Sequence, residues 1–130
     1  MQSSKHKDTH HMLDKIYIKQ LHVRGHIGFQ PWEKEKHQDI YVHYEIETDT
    51  KKAAASDKPE DALDYKAINK SIIDLVENNA FNLIETLAEK IAALILQDKR
   101  IIKTCVKVEK PDALRFTKTV GVEITREQHV

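Results

Sequence analysis

The sequence has 130 residues, of which 40% are hydrophobic and 32% are charged, which is enough for a single domain with a buried core. Its 21 basic and 21 acidic residues balance, which excludes the basic excess typical of nucleic-acid-binding proteins. No apolar run approaches the roughly 20 residues of a membrane span, and no signal peptide is recognisable near the start. The single cysteine, Cys105, cannot form an intrachain disulfide, which fits a reducing compartment. Together, these features predict a cytoplasmic protein without membrane or nucleic-acid partners.

The first half of the chain predicts a β-hairpin. Residues 1–13 are polar and are predicted to be a disordered tail, which leaves residues 14–128 as one domain. In Lys15–His26 apolar and polar residues alternate as in a strand, and the phase shifts near Gln20, which predicts a β-bulge. The alternation returns in Gln38–Thr48, so we expect the two segments to pair in antiparallel fashion.

Two connections flank the second predicted strand. Gly28 and Pro31 mark residues 27–33 as a structured turn, because glycine and proline interrupt regular strands. The stretch from Asp49 to Lys58 is rich in Ala, Lys and Asp and is predicted to be a surface connection.

Two amphipathic helices are predicted in the middle of the chain. The first begins after Asp64, a favourable N-cap residue, and ends at Asn78-Asn79. The second runs from about Asn82 to Gln97. Glu85 lies in its first turns, where the helix dipole could hold the carboxylate ionised at a mostly buried position.

The end of the chain predicts a second hairpin, formed by Ile101–Glu109 and Thr119–Arg126. The resulting order ββααββ predicts an α+β fold in which a four-stranded antiparallel sheet carries two helices on one face. Since such a sheet leaves its edge strands unpaired, we expect the protein to assemble into a ring-shaped homo-oligomer.

Four polar residues stand at the ends of the predicted elements, namely Glu33, Tyr65, Glu85 and Lys110. Each residue type, taken alone, is more often found as an ordinary surface or core-edge side chain. The four residues therefore indicate a functional site only together with their sequence contexts.

These contexts resemble those of a known enzyme family. They are Ile27-Gly28-x-x-x-x-Glu33, Asp61-Ala62-Leu63-Asp64-Tyr65, Asn82-Leu83-Ile84-Glu85-x-Leu87-Ala88-Glu89-x-Ile91, Val106-x-Val108-x-Lys110-Pro111 and Val120-Gly121-Val122-x-Ile124. The set resembles dihydroneopterin aldolase of folate biosynthesis over nearly all of residues 15–127. Two further stretches, Val76-Glu77-Asn78-Asn79 and Asp112-Ala113-Leu114-Arg115-Phe116, resemble a close relative, dihydroneopterin triphosphate 2'-epimerase.

The resemblance implies the tunnelling fold, in which four subunits close their sheets into a barrel and two such rings usually stack as an octamer. It also implies pterin sites between adjacent subunits. Glu85 would anchor the pterin through its 2-amino group and N3–H, a donor pair that suits a bidentate carboxylate. Backbone groups of Ile84 and, from the neighbouring subunit, Leu63 would hold other edges of the ring, and Tyr65 would line the pocket.

The resemblance further implies retro-aldol cleavage of 7,8-dihydroneopterin into 6-hydroxymethyl-7,8-dihydropterin and glycolaldehyde. Lys110 would be the main acid/base residue, Glu33 would orient Lys110 and the substrate diol, and Tyr65 would complete the catalytic set. Because the substrate carries its own N5=C6 imine as an electron sink, neither a metal nor a cofactor is expected.

Three other interpretations stay open at the level of the sequence. The reaction could be that of the 2'-epimerase, or the chain could be a non-catalytic ring protein that binds a pterin. It could also be a zinc enzyme like the related pyruvoyl-tetrahydropterin synthases, with ligands among His22, His26, His37 and His43. No tight His-x-His pair on one strand face supports the zinc interpretation, since zinc needs three converging ligands and an open position.

Overall fold

The structure, a computed structural model, describes residues 13–111 and 113–128. The predicted tail therefore lies outside the described residues, except for Leu13. The strands are β1 (Asp14–Ile27), β2 (Gln38–Thr48), β3 (Ala80–Phe81), β4 (Lys103–Lys110) and β5 (Val120–Glu127). The helices are α1 (Pro31–Glu35), α2 (Lys51–Ser56), α3 (Tyr65–Glu77) and α4 (Ile84–Ile95), with a 3-10 turn at Pro59–Asp61.

The sheet has five strands in the order β3-β1-β2-β4-β5. The pairs β1–β2, β2–β4 and β4–β5 are antiparallel, whereas β3 pairs with the end of β1 in parallel. The predicted α+β class is confirmed, but the predicted four-stranded, purely antiparallel sheet is wrong. The missed strand, Ala80–Phe81, is two residues long, which is too short to show any alternation.

The core lies between this sheet and the two long helices. Alternate residues of β2 face the helices and are buried, as the sequence predicts, and β4 buries its alternate residues beside them. The helices α3 and α4 cover this face with their own apolar stripes, since residues three and four apart share one side of a helix. The largest fully buried side chains include Tyr44, Ile27, Ile40, Ile46, Ile72, Leu87, Ile91, Ile95 and Ile101.

The predicted bulge in β1 is confirmed. The pairing of β1 with β2 shifts register between Ile18 and Leu21, and Gln20 adopts a left-handed φ of 56°. The backbone N–H of Gln20 donates to Nδ1 of His43 at 3.1 Å, which gives the donor displaced from the ladder a partner.

Two short helices lie where the sequence predicts only connections. The predicted turn contains the start of α1, in which Pro31 occupies the first helical position that favours proline. The predicted surface connection contains α2, whose Ala-rich sequence favours a helix. The predicted cap is confirmed, since the Asp64 carboxylate accepts a hydrogen bond from the backbone N–H of Ala67 at 2.9 Å. Among the described residues, no helix is long and apolar enough to cross a membrane.

Candidate active site

A buried ion pair joins the end of β4 to helix α1. Nζ of Lys110 donates to Oε2 of Glu33 at 2.6 Å, and the two side chains are only 13% and 12% exposed. The two residues are 77 positions apart in the chain, and the pairing of β2 with β4 brings them together. The hydrogen bond from Lys110 holds the pKa of the Glu33 carboxyl below its usual range.

The segment before Glu33 is shaped to receive its carboxylate. Gly28 has a φ of 133°, a conformation that favours glycine, and a Cβ at this position would fall on the carboxyl group of Glu33. The other oxygen of the Glu33 carboxylate, Oε1, accepts the backbone N–H of Gln30 at 3.3 Å. Both oxygens of the carboxylate therefore have a donor.

Glu85 lies at the same end of the sheet as this ion pair. Strand β3, which leads into α4, pairs with His26 and Ile27 at the end of β1, and the backbone N–H of Gly28 donates to the carbonyl of Phe81 at 2.9 Å. Glu85 stands in the first turn of α4, but it is exposed in the chain, so the expected burial is wrong for a single copy. Ile84, which begins α4, is partly buried against the core.

Leu63 and Tyr65 lie at the opposite end of the sheet. Together with Ile16 and Thr48, at the start of β1 and the end of β2, they line a small cavity of about 100 Å³. Leu63 is buried, whereas Tyr65 is 52% exposed. Since a strand rises about 3.3 Å per residue, roughly 30 Å of β1 separates Ile16 from the Glu33 end.

The predicted site residues therefore form two groups within one chain. Glu33, Lys110, Glu85 and Ile84 lie at one end of the sheet, and Leu63 and Tyr65 lie at the other. One chain alone does not bring all six residues together.

Comparison with known proteins identifies the family. Residues 16–125 match the family model described as FolB, dihydroneopterin aldolase. The chain belongs to the dihydroneopterin aldolase family.

Individual members of this family cover almost the whole domain. The dihydroneopterin aldolase of Haemophilus influenzae is 33% identical over 114 residues, which are 88% of this chain and 97% of that protein. The dihydroneopterin triphosphate 2'-epimerase of Escherichia coli is 33% identical over 110 residues, which are 85% and 92% of the two chains. The structure of Escherichia coli dihydroneopterin aldolase in complex with neopterin superposes with a TM-score of 0.84 at 35% identity, covering 87% of this chain and 98% of that one.

The histidines considered as zinc ligands do not converge. Nε2 of His43 contacts Glu109 at 2.7 Å, and Nε2 of His22 contacts Asp39 at 2.8 Å. The rings of His26 and His37 lie edge to face with their centroids 4.5 Å apart. Within residues 13–111 and 113–128, no three His, Cys, Asp or Glu side chains form a group that could hold a metal ion.

Sequence reasoning missed the contribution of Gln38. Its side-chain amide donates to the backbone carbonyl of Ile27 at 2.7 Å and to that of Glu33 at 3.1 Å. A polar residue at the start of a strand carries no signal of such contacts. The steric role of Gly28, in contrast, could have been suspected from its place five residues before Glu33 in a turn.

Proposed function

We propose that this member of the dihydroneopterin aldolase family cleaves 7,8-dihydroneopterin into 6-hydroxymethyl-7,8-dihydropterin and glycolaldehyde in folate biosynthesis. The main support for this proposal is the buried ion pair between Lys110 and Glu33. It lies in a chain that matches the family over residues 16–125. A lysine held by a carboxylate is a suitable proton carrier, because its amino group has a fixed position and few competing water contacts. We place the reaction in the reducing cytoplasm, which suits a chain with a single cysteine.

The reaction needs one proton to leave an oxygen and one to reach a carbon. Lys110, acting as the neutral amine either directly or through a water molecule, accepts the proton of the 2'-hydroxyl group of the side chain. The C1'–C2' bond then breaks, glycolaldehyde leaves, and the bonding electrons move through C1'=C6 to N5 as an enamine. Protonation of C1' by the Lys110 ammonium restores the imine and the neutral amine, and Glu33 orients the Lys110 amino group throughout.

The substrate supplies the electron sink for this cleavage. Its N5=C6 imine accepts the electron pair, so the proposed reaction runs without a metal or a cofactor. Glu85 anchors the pterin, because a carboxylate can accept both the 2-amino group and N3–H in one plane. The backbone of Ile84, the next residue towards the start of α4, meets another edge of the ring.

We further propose that two copies of the chain build each site. Leu63 and Tyr65 lie at the opposite end of the sheet from Lys110 in one chain, so they reach the pterin from a neighbouring copy. A ring of four chains, alone or stacked as an octamer, pairs the two ends at every interface. This arrangement also covers the exposed Glu85 and excludes water from the site. Exclusion of water strengthens the hydrogen bonds between the Glu85 carboxylate and the pterin.

The test is glycolaldehyde release from 7,8-dihydroneopterin in the presence of a chelator. Lys110→Ala is expected to lower kcat by about 10²–10⁴-fold, the usual contribution of a general acid/base residue. Glu85→Ala is expected chiefly to raise KM, by about tenfold or more, because it removes charge-assisted contacts to the pterin. If both variants only raise KM, the roles assigned to the two residues are wrong.

Matched controls come from the same elements. Lys107→Ala removes a lysine from β4 whose side chain lies on the helix-free face of the sheet. Glu89→Ala removes a glutamate one turn after Glu85, where it pairs with Arg126. Both controls are expected to keep kcat and KM within about twofold of the wild type, since neither side chain takes part in the proposed chemistry.

The second candidate is 2'-epimerisation, which the 33% identity to the Escherichia coli triphosphate epimerase favours. The same bond cleavage followed by re-addition of the released aldehyde through its opposite face inverts C2' without net loss of carbon. The protein should therefore also be incubated with dihydroneopterin triphosphate. A change of configuration at C2' in that substrate, without glycolaldehyde release from 7,8-dihydroneopterin, would assign the chain to the epimerase instead.

A further inference from the structure

Gln38 connects the two ends of residues 28–33, the segment that carries Glu33. It is the first residue of β2 and pairs with Gly25 of β1. Its Nε2 group donates to the carbonyl of Ile27, immediately before this segment, and to the carbonyl of Glu33, at its end. These two contacts, at 2.7 Å and 3.1 Å, hold the start and the end of the segment close together.

The side-chain amide is chemically suited to this position. Its nitrogen carries two N–H donors, which matches two carbonyl acceptors, whereas a carboxylate or a thioether has no donor. Both carbonyls belong to buried residues, because Ile27 is 1% and Glu33 is 9% exposed. A buried carbonyl that loses its partner destabilises its local conformation.

The position of the Glu33 carboxylate depends on this closed segment. Gly28 leaves space for the carboxyl group on one side, and the N–H of Gln30 and Nζ of Lys110 occupy its two oxygens. All these partners except Lys110 lie within the segment that Gln38 closes. A shift of this segment would therefore move Glu33 away from Lys110.

We propose that Gln38 is a positioning residue for the aldolase reaction, which sets the Glu33 carboxylate against Lys110. The inference rests on the proposed function for its catalytic consequence. It does not place Gln38 in contact with the substrate, since both of its amide contacts are to the backbone.

The kinetic test compares Gln38→Met with Gln128→Met. The control removes a glutamine whose amide also donates to backbone carbonyls, those of Leu96, Asp98 and Ile101, at the other end of the sheet. Gln38→Met is expected to lower kcat by about tenfold or more with KM within about twofold, and Gln128→Met to leave both unchanged. Equal effects of the two variants on kcat would overturn the proposal.

A double variant separates positioning from a general loss of stability. If Gln38 acts through Glu33, adding Gln38→Met to Glu33→Gln lowers kcat no further, because the group to be positioned is already gone. If the two effects multiply, Gln38 acts independently of Glu33 and the proposal is wrong.

A second readout does not depend on activity. Carbon NMR of the Glu33 carboxyl follows its titration, which the contact with Lys110 places below the usual range of pKa. Gln38→Met is expected to move this titration towards the usual range, and Gln128→Met is not. An unchanged titration overturns the inference, whereas absence of glycolaldehyde release by the wild type overturns only the proposed function.

Discussion

Glu33 and Lys110 depend on each other for their burial. A charge that is 12% or 13% exposed is stable only while its partner is in place, so removal of either residue leaves an uncompensated buried charge. Kinetic effects of substitutions at either position therefore need a stability measurement beside them. The backbone around Glu33 offers a way to disturb the pair without deleting either charge.

Gly28→Ala is expected to lower kcat by about tenfold or more while KM for the pterin changes little. The new Cβ would occupy the space of the Glu33 carboxyl group, and φ of 133° is strained for alanine. Steady-state kinetics with 7,8-dihydroneopterin would measure this effect. Gly121→Ala is the control, since its Cβ would meet the Val108 carbonyl at 3.0 Å and the Glu109 Cγ at 3.2 Å but not Glu33, and equal losses in both variants would contradict the steric argument.

The lowered pKa of Glu33 predicts a specific acid sensitivity. Because the folded state holds this carboxyl ionised to lower pH than the unfolded chain, its stabilising contribution is present above the unfolded pKa. The contribution is lost as the pH falls through the folded pKa. From about pH 6 towards pH 3, the wild type should therefore lose more free energy of unfolding than Glu33→Gln.

Urea denaturation across this pH range would measure the difference. Glu89→Gln serves as control, because Glu89 has a lowered pKa through Arg126 in an exposed pair. Its effect should be smaller and should shrink with added salt, since solvent screens exposed charges. Parallel pH profiles of the wild type and Glu33→Gln would show that the Lys110 contact adds no stability.

At the level of the elements, the strands that alternate clearly were predicted and the shortest elements were not. Strands β2 and β4 bury every second residue, so their sequences carry the period of a half-buried sheet. Strand β3 and helix α1 have two and five residues, and their backbone contacts come from the surrounding chain. Glu33 and Lys110 were likewise proposed as site residues from their sequence contexts, whereas the reach of the Gln38 amide depends on tertiary structure.

Asp64→Ala is expected to lower the free energy of unfolding by about 1 kcal/mol. The Asp64 carboxylate accepts the N–H of Ala67 and so satisfies one of the free donors at the start of α3. Asp74→Ala, in the same helix, removes only an exposed pair with Lys70 and should have less than half this effect. Equal losses in urea denaturation would contradict a role for Asp64 as the cap.

At the level of the whole molecule, each chain would contribute halves to two different sites. Lys110 at one end and Tyr65 at the other would meet partners on opposite neighbours. Substitutions at the two ends therefore disable different halves of each site, which leads to a complementation experiment.

We expect Lys110→Ala and Tyr65→Phe, each nearly inactive alone, to regain activity when unfolded and refolded together. With random mixing in a ring, about a quarter of the sites receive both intact halves, so about a quarter of the wild-type activity should return. Lys110→Ala mixed with Glu85→Ala is the control, because these residues share one end and no site can regain both. Activity that stays at the level of the separate variants would contradict a site built by two chains.

The bulge at Gln20 limits aggregation of this protein through the edge of its sheet. Among the described residues, most of β1 forms an outer edge of the sheet, since β3 pairs only with His26 and Ile27. A straight edge offers its free N–H and C=O groups to any extended chain and so favours aggregation. The register shift at Gln20, next to Lys19, interrupts that row, so that a straight strand cannot pair along the whole edge.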